Sequence, residues 1–171
     1  ILLVLSVIAM FAASAVAIFQ KNLKRMLAYS SVAQIGYMVL GISFANVNGL
    51  TACNLHLFNH ALMKGGMFLA LGCIVYRVAS VNLDDLAGIG RRMPLTMAAF
   101  VVGGLGLIGV PLTVGFISKW YLVLGAMDRG WWPVGVLILL SSLLAVVYVW
   151  RVVEVAYFSP VPPNAPAIEE A

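Results

Sequence analysis

Apolar residues run along this chain in long blocks, and charged residues are confined to short joints between them. Such blocks approach the roughly 20 residues a helix needs to cross a hydrocarbon core of about 30 Å. Residues 1–19 carry no charge and are just long enough to span. Their small side chains at Ala9, Ala12, Ala13, Ser14, Ala15 and Ala17 permit close helix contacts. Lys21, Lys24 and Arg25 form a basic joint, in which Asn22 is placed to cap a second helix reaching about Phe44. Asn46, Asn48 and Gly49 read as an uncharged turn, and residues 50–76 as a third span. Residues 77–92 form the longest polar loop, with Asp84 and Asp85 simply solvated. A last span over residues 131–157 follows the short turn Asp128, Arg129, Gly130 and opens on Trp131 and Trp132 as an interfacial anchor. Arg151 and Glu154 are expected to pair with each other or with headgroups near its end.

The stretch between Arg92 and Asp128 breaks this rhythm. It is too long for one straight helix, and Gly109, Pro111 and Gly115 lie near its middle. Proline removes a backbone donor and clashes with the preceding turn, so a broken helix is expected. Carbonyls freed at membrane depth are tolerated only against protein or a wet cavity. Lys119 is the only charge in this stretch. An ammonium inside a span costs about 2.5 to 3.5 kcal/mol on insertion scales, which marks it as a functional candidate. The opposing reading is a lysine that snorkels to the headgroups beside Trp120 and Tyr121.

Two further helices carry polar faces. Ser30, Gln34 and Tyr37 follow at i, i+4, i+7 on the second span. They serve either as hydrogen bonds that glue helices together or as part of a proton path. His56, His60 and Lys64 stand at successive i+4 steps on the third, each displaced only about 40° from the last, so they share one face. Two histidines at this spacing suit zinc, but the HExxH glutamate is missing and a lysine sits one turn away. A titratable row is the better reading, because imidazole changes protonation near neutral pH. No metal and no cofactor are expected.

Composition agrees with the pattern. Hydrophobic residues make up 63% and charged residues 9%, and the mean hydropathy is +1.06. This is the composition of an all-α integral membrane protein, expected to have about five transmembrane helices with one broken. The net charge of +4 resides in the joints and implies no nucleic-acid partner. Cys53 and Cys73 lie within an apolar span as small hydrophobes. The sequence begins at Ile1 inside an apolar run, without a basic leader, and is expected to be part of a longer protein rather than to open on a signal peptide. Residues 1–158 form the membrane domain, and residues 159–171, with Pro160, Pro162, Pro163 and Pro166, an extended tail. One side of the bundle receives Lys21, Lys24, Arg25, Arg77, Arg91, Arg92 and Arg151, and the other only Arg129. The richer side, and with it the C-terminus, is expected in the cytoplasm of a cell inner membrane. Gly104, Gly106 and Gly109 match a dinucleotide fingerprint, but Pro111 stands where the binding helix should open. Nucleotide binding is therefore rejected.

Three segments together resemble a known family. They are Asn22-Leu-Lys-Arg-Met-Leu-Ala-Tyr-Ser-Ser-Val-Ala-Gln-Ile-Gly-Tyr37, Phe58-Asn-His-Ala-Leu-Met-Lys-Gly-Gly-Met-Phe68, and Gly109-Val-Pro-Leu-Thr-Val-Gly-Phe-Ile-Ser-Lys119. In this order they are similar to the proton-antiporter-like membrane subunits of respiratory complex I and of multisubunit Mrp-type Na⁺/H⁺ antiporters. The wording around Ser118-Lys-Trp-Tyr-Leu-Val-Leu and Trp131-Trp-Pro looks closest to the D-type member of the Mrp group. The resemblance implies two inverted repeats, each with a broken helix, around a hydrated axis at mid-membrane. This chain would hold most of the second repeat. Lys119 would be the broken-helix lysine, His60, Lys64 and less directly His56 would build the axis, and Lys24 would belong to the cytoplasmic start of its helix. The implied function is proton translocation in a hetero-oligomeric complex within the lipid bilayer, coupled to Na⁺ or K⁺ in an antiporter. The alternatives are a complex I or membrane hydrogenase subunit, whose redox chemistry occurs in other chains, and a scaffold that transports nothing.

Overall fold

The computed structural model describes residues 1–161, so the expected tail falls outside the described residues from position 162 onward. Among the described residues the architecture is all-helical, with α1 (Leu2–Phe19), α2 (Leu23–Ser43), α3 (Val47–Val78), α4 (Ile89–Arg92), α5 (Pro94–Ile108), α6 (Val114–Asp128) and α7 (Trp132–Phe158). α1, α2, α3 and α7 are each long and apolar enough to cross a membrane. α5 and α6, of 15 residues each, follow one another as two half-length helices. The expected architecture, an integral membrane bundle with one broken span, is therefore present.

Local chemistry sets the helix ends. Asn22 caps α2 by accepting from the Arg25 amide at 3.0 Å, as expected from its position. α3 differs from expectation, because it starts at Val47 and takes Asn48 and Gly49 into its first turn. Asn46 is the cap, and its side-chain oxygen accepts from the Gly49 amide at 2.8 Å while its nitrogen donates to the Gly125 carbonyl at 2.8 Å. Gly49 reads as a turn residue in sequence but is needed here for contact. A Cβ added to Gly41 or to Gly49 would strike the other's carbonyl oxygen, so α2 and α3 cross with their backbones touching. The same end is tied further by Asn48 to the Asp128 carboxylate at 2.7 Å and by Arg129 to the Phe44 carbonyl at 2.6 Å.

The loop over residues 77–92 is a second departure. Asp84 and Asp85 are exposed, as expected, but the loop also packs, with Leu83, Leu86 and Ile89 buried beneath the basic end of the bundle. The Leu23 amide donates to Val81 and the Leu83 amide to Lys21, both at 2.8 Å, joining the two basic joints in a short antiparallel bridge at Asn22 and Asn82. Arg151, expected to pair with Glu154 or with headgroups, donates to the Gln20 carbonyl at 3.4 Å.

The apolar interior is divided. One cluster, including Leu23, Leu27, Met67, Ile74, Met97 and Phe100, fills the basic end. A second, including Met10, Leu40, Phe44, Leu122 and Ile138, fills the other. The buried Ser30, Gln34, His56, Ser118 and Lys119 come from the helix segments where the two clusters meet.

Because the Gly41–Gly49 crossing has no room for a methyl group, Gly49→Ala is expected to destabilise by about 1 to 3 kcal/mol through overpacking. Gly65, whose Cβ would meet nothing within 4 Å, is the control. Thermal melting of the intact, detergent-solubilised complex should fall for Gly49→Ala and stay level or rise for Gly65→Ala.

Candidate functional site: a broken helix and a buried polar row

The break is built by complete accounting of the last carbonyls of α5. Gly109 takes a left-handed conformation, φ 84°, which glycine adopts without steric cost. Its amide bonds to the Gly106 carbonyl at 3.1 Å, and the Val110 amide reaches back to Leu105 at 3.2 Å. This is a Schellman ending, and it leaves the carbonyls of Leu107 and Ile108 without backbone partners. Lys119 supplies them. Its Nζ donates to Leu107 at 2.9 Å, to Ile108 at 2.8 Å and to the Ser142 hydroxyl at 2.9 Å. All three ammonium protons are thereby used at the negative end of a helix dipole. Lys119 is only 7% exposed, so the snorkelling alternative does not describe it. Trp120, its neighbour, faces outward at 54%.

α6 is pressed against the break. A Cβ on Gly115 would overlap the Gly106 carbonyl oxygen, so only glycine fits there. Pro111 sits in the connection between the half-helices, beside Leu112, which holds a left-handed φ of 74°. Asn59 of α3 donates to the Val114 carbonyl at 2.8 Å and fixes the first turn of α6. Gly109, Pro111 and Gly115 therefore all belong to the break, each for a different reason.

The polar faces of α2 and α3 meet beside it. Lys64 is 5% exposed. Its Nζ donates to the Leu27 carbonyl at 2.9 Å and to the Ser30 hydroxyl. One turn along α2, Gln34 Oε1 lies 2.8 Å from His56 Nε2. On the other side of the same ring, His56 Nδ1 lies 2.8 Å from Ser118 Oγ, and Ser118 can also donate to the Gly115 carbonyl at 3.1 Å. Tyr37 stands between the parts. Its ring is 5.6 Å from His56, Lys119 Nζ lies 4.8 Å from its centroid, and its hydroxyl is 3.4 Å from Ser142.

This arrangement lets His56 hold or release a proton without losing a hydrogen bond. The neutral ring donates from Nε2 to Gln34 and accepts the Ser118 hydroxyl proton at Nδ1. The imidazolium donates from both nitrogens, and Ser118 turns its proton to the Gly115 carbonyl. Both states are satisfied in one geometry, where an unsatisfied buried group would cost about 1 to 3 kcal/mol.

The sequence-derived candidates divide accordingly. His56, Lys64, Lys119, Ser30, Gln34 and Tyr37 gather in the interior. His60 stacks on His56 at 6.4 Å, but among the described residues its Nδ1 has no hydrogen-bond partner. Lys24 is exposed at the start of α2 and lies outside the row.

Known proteins carry the same pattern. The profile of a family described as NADH:quinone oxidoreductase/Mrp antiporter, TM, matches residues 1–145. The chain belongs to that family. NADH-quinone oxidoreductase subunit N of Desulforudis audaxviator is 47% identical over 163 residues, covering 89% of this chain and 32% of the relative. A chain of the Mrp complex from Dietzia superposes with a TM-score of 0.90 at 27% identity, over 98% of this chain and 32% of its own. A chain of the membrane-bound sulfane sulfur reductase, an archaeal respiratory complex, does so at 0.85 and 34% identity, over 96% and 35%. The chain thus spans about a third of the length of the relatives it matches.

Within this antiporter-like family member, sequence reading missed Ser118 and Ser142 as partners. Each is a lone or paired serine in an apolar run, and only the hydroxyl itself hints at a role. Their partners lie 62 and 23 positions away.

Replacing Lys119 by Met removes the donor for two buried carbonyls. Each orphan costs about 1 to 3 kcal/mol, so the intact complex should melt at lower temperature. Trp120→Phe, on the exposed face, should leave the melt unchanged. Equal melting of Lys119→Met and the parent would contradict the capping role.

Proposed function

We propose that this chain is part of a proton-translocating subunit of a membrane complex, in which protons pass along Lys64, Ser30, Gln34, His56 and Ser118 to the region of Tyr37, Ser142 and Lys119. The observation that carries this reading is the His56 site, hydrogen-bonded on both ring nitrogens, with the Ser118 hydroxyl able to exchange donor and acceptor roles at Nδ1. Two buried lysines at its ends supply or take the proton electrostatically. Lys24 at the basic end would gather protons from water, and His60, stacked on His56, would be a further stop on the path. The basic end faces the cytoplasm under the positive-inside rule.

What drives the protons is a separate question. The 47% identity to a NADH-quinone oxidoreductase subunit N and the 34% identity to a sulfur reductase chain support a redox-driven complex, with electron transfer in partner subunits. The second reading is the D-type member of an Mrp-type Na⁺/H⁺ antiporter, supported by the superposition on the Dietzia complex and by the Ser118–Leu124 wording. Hard cations prefer oxygen ligands, and the row supplies amines, imidazoles and hydroxyls, which suits protons better than Na⁺.

Ser118→Ala takes away the group that satisfies His56 Nδ1 in either protonation state. The loss of a hydrogen bond to a charged group, about 1.5 to 3 kcal/mol, predicts proton translocation slowed about tenfold or more in vesicles containing the whole complex. Lys64→Ala should slow it similarly. Unchanged rates in both, with normal assembly, would leave a scaffold role. Dye-detected acidification driven by a reduced electron donor, and absent with an imposed Na⁺ gradient, is the outcome expected of the redox-driven complex; the reverse would favour the antiporter.

A further inference from the structure

The row has one internal gap. Ser30 is bonded to Lys64, and Gln34 is bonded to His56, but the two α2 residues stand four positions apart, about 6 Å along the helix axis. Tyr148 of α7 lies at that gap. Its side chain is fully buried at 0% exposure, and its hydroxyl is within interacting reach of Ser30 and Gln34. Yet among the described residues Tyr148 Oη has no hydrogen-bond partner. The ring packs into the apolar cluster of the basic end, which holds the hydroxyl where it is. A buried hydroxyl without a partner is uncommon, and such groups are ordinarily satisfied by an internal water. One water at the Tyr148 hydroxyl can stand in for a direct hydrogen bond between such groups.

We infer that Tyr148 is a further positioning residue of the proton path, whose hydroxyl, with Ser30 and Gln34, holds water that joins Lys64 to His56. This rests on the proton-translocating reading above. One proton enters the water from the Lys64 side and one leaves toward His56, so the water is regenerated and the phenol keeps its proton. Tyr148 touches the water and not the two ends, and its contribution is to hold the bridge in line.

Tyr148→Phe removes the oxygen and keeps the ring. In the intact complex it should assemble normally, melt no lower than the parent, and translocate protons about tenfold or more slowly. If Tyr148 and Lys64 serve one path, Tyr148→Phe combined with Lys64→Ala should be no slower than the slower single variant, whereas a merely structural effect would multiply. Full rate in Tyr148→Phe with a slow Lys64→Ala would overturn this inference and leave the proton path standing. Full rate in both would overturn the proton path itself. Should Tyr148→Phe fail to assemble, 3-fluorotyrosine at position 148 keeps the shape and hydroxyl while making the phenol a stronger hydrogen-bond donor. A changed translocation rate then supports the inference and an unchanged one overturns it.

Discussion

The structure depends on how two backbone carbonyls are satisfied at membrane depth. Breaking a span between α5 and α6 leaves the carbonyls of Leu107 and Ile108 without amide partners, and hydrocarbon offers none. Lys119 supplies both bonds from the next half-helix. One contact thus solves two costly problems. The ammonium gains carbonyl and hydroxyl acceptors at a helix C-terminus, and the helix end gains donors. Removing either side would expose the other, so the break and the lysine have to be understood together. The same contact fixes where the charge stands, next to Tyr37 and Ser142 and within the interior.

Around that point the bundle separates apolar packing from polar chemistry. Clusters at the two ends supply the contacts that hold the helices, and the Gly41–Gly49 crossing and the tight approach of Gly115 to Gly106 bring backbones close enough for short side chains to meet. Serines reach their partners only because the helices are this close. The polar row follows from this geometry. Its hydroxyls and its imidazole can exchange donor and acceptor roles, where a row of fixed donors could not.

Much of this was legible in the sequence, and the exceptions have physical causes. Gly109, Pro111 and Gly115 announced a break because the proline removes a backbone donor in a stretch too long for one straight span. The i+4 spacing of His56, His60 and Lys64 announced a shared face. Spacing could not say which histidine would be hydrogen-bonded, since that depends on how α3 is rotated against α2 and α6; Gln34 and Ser118 select His56. The early start of α3 was hidden because Asn46, Asn48 and Gly49 have the composition of a turn until Gly41 is seen opposite. The packing of the loop over residues 77–92 was hidden because Leu83, Leu86 and Ile89 recur over only seven positions among Asp84, Asp85, Gly88 and Gly90, which together have the composition of a solvated loop. The capping of α5 by Lys119 joins residues 11 and 12 positions apart across an irregular connection, which no helical periodicity predicts.

The central claim is that His56 takes up and releases a proton while the row works. Infrared difference spectroscopy of the intact complex, with histidine rings isotopically labelled and turnover triggered in the membrane, reads that event directly. An imidazole-to-imidazolium difference band is expected during turnover and should disappear in His56→Phe. A complex that translocates protons with no such band, or with one that survives His56→Phe, would contradict the claim.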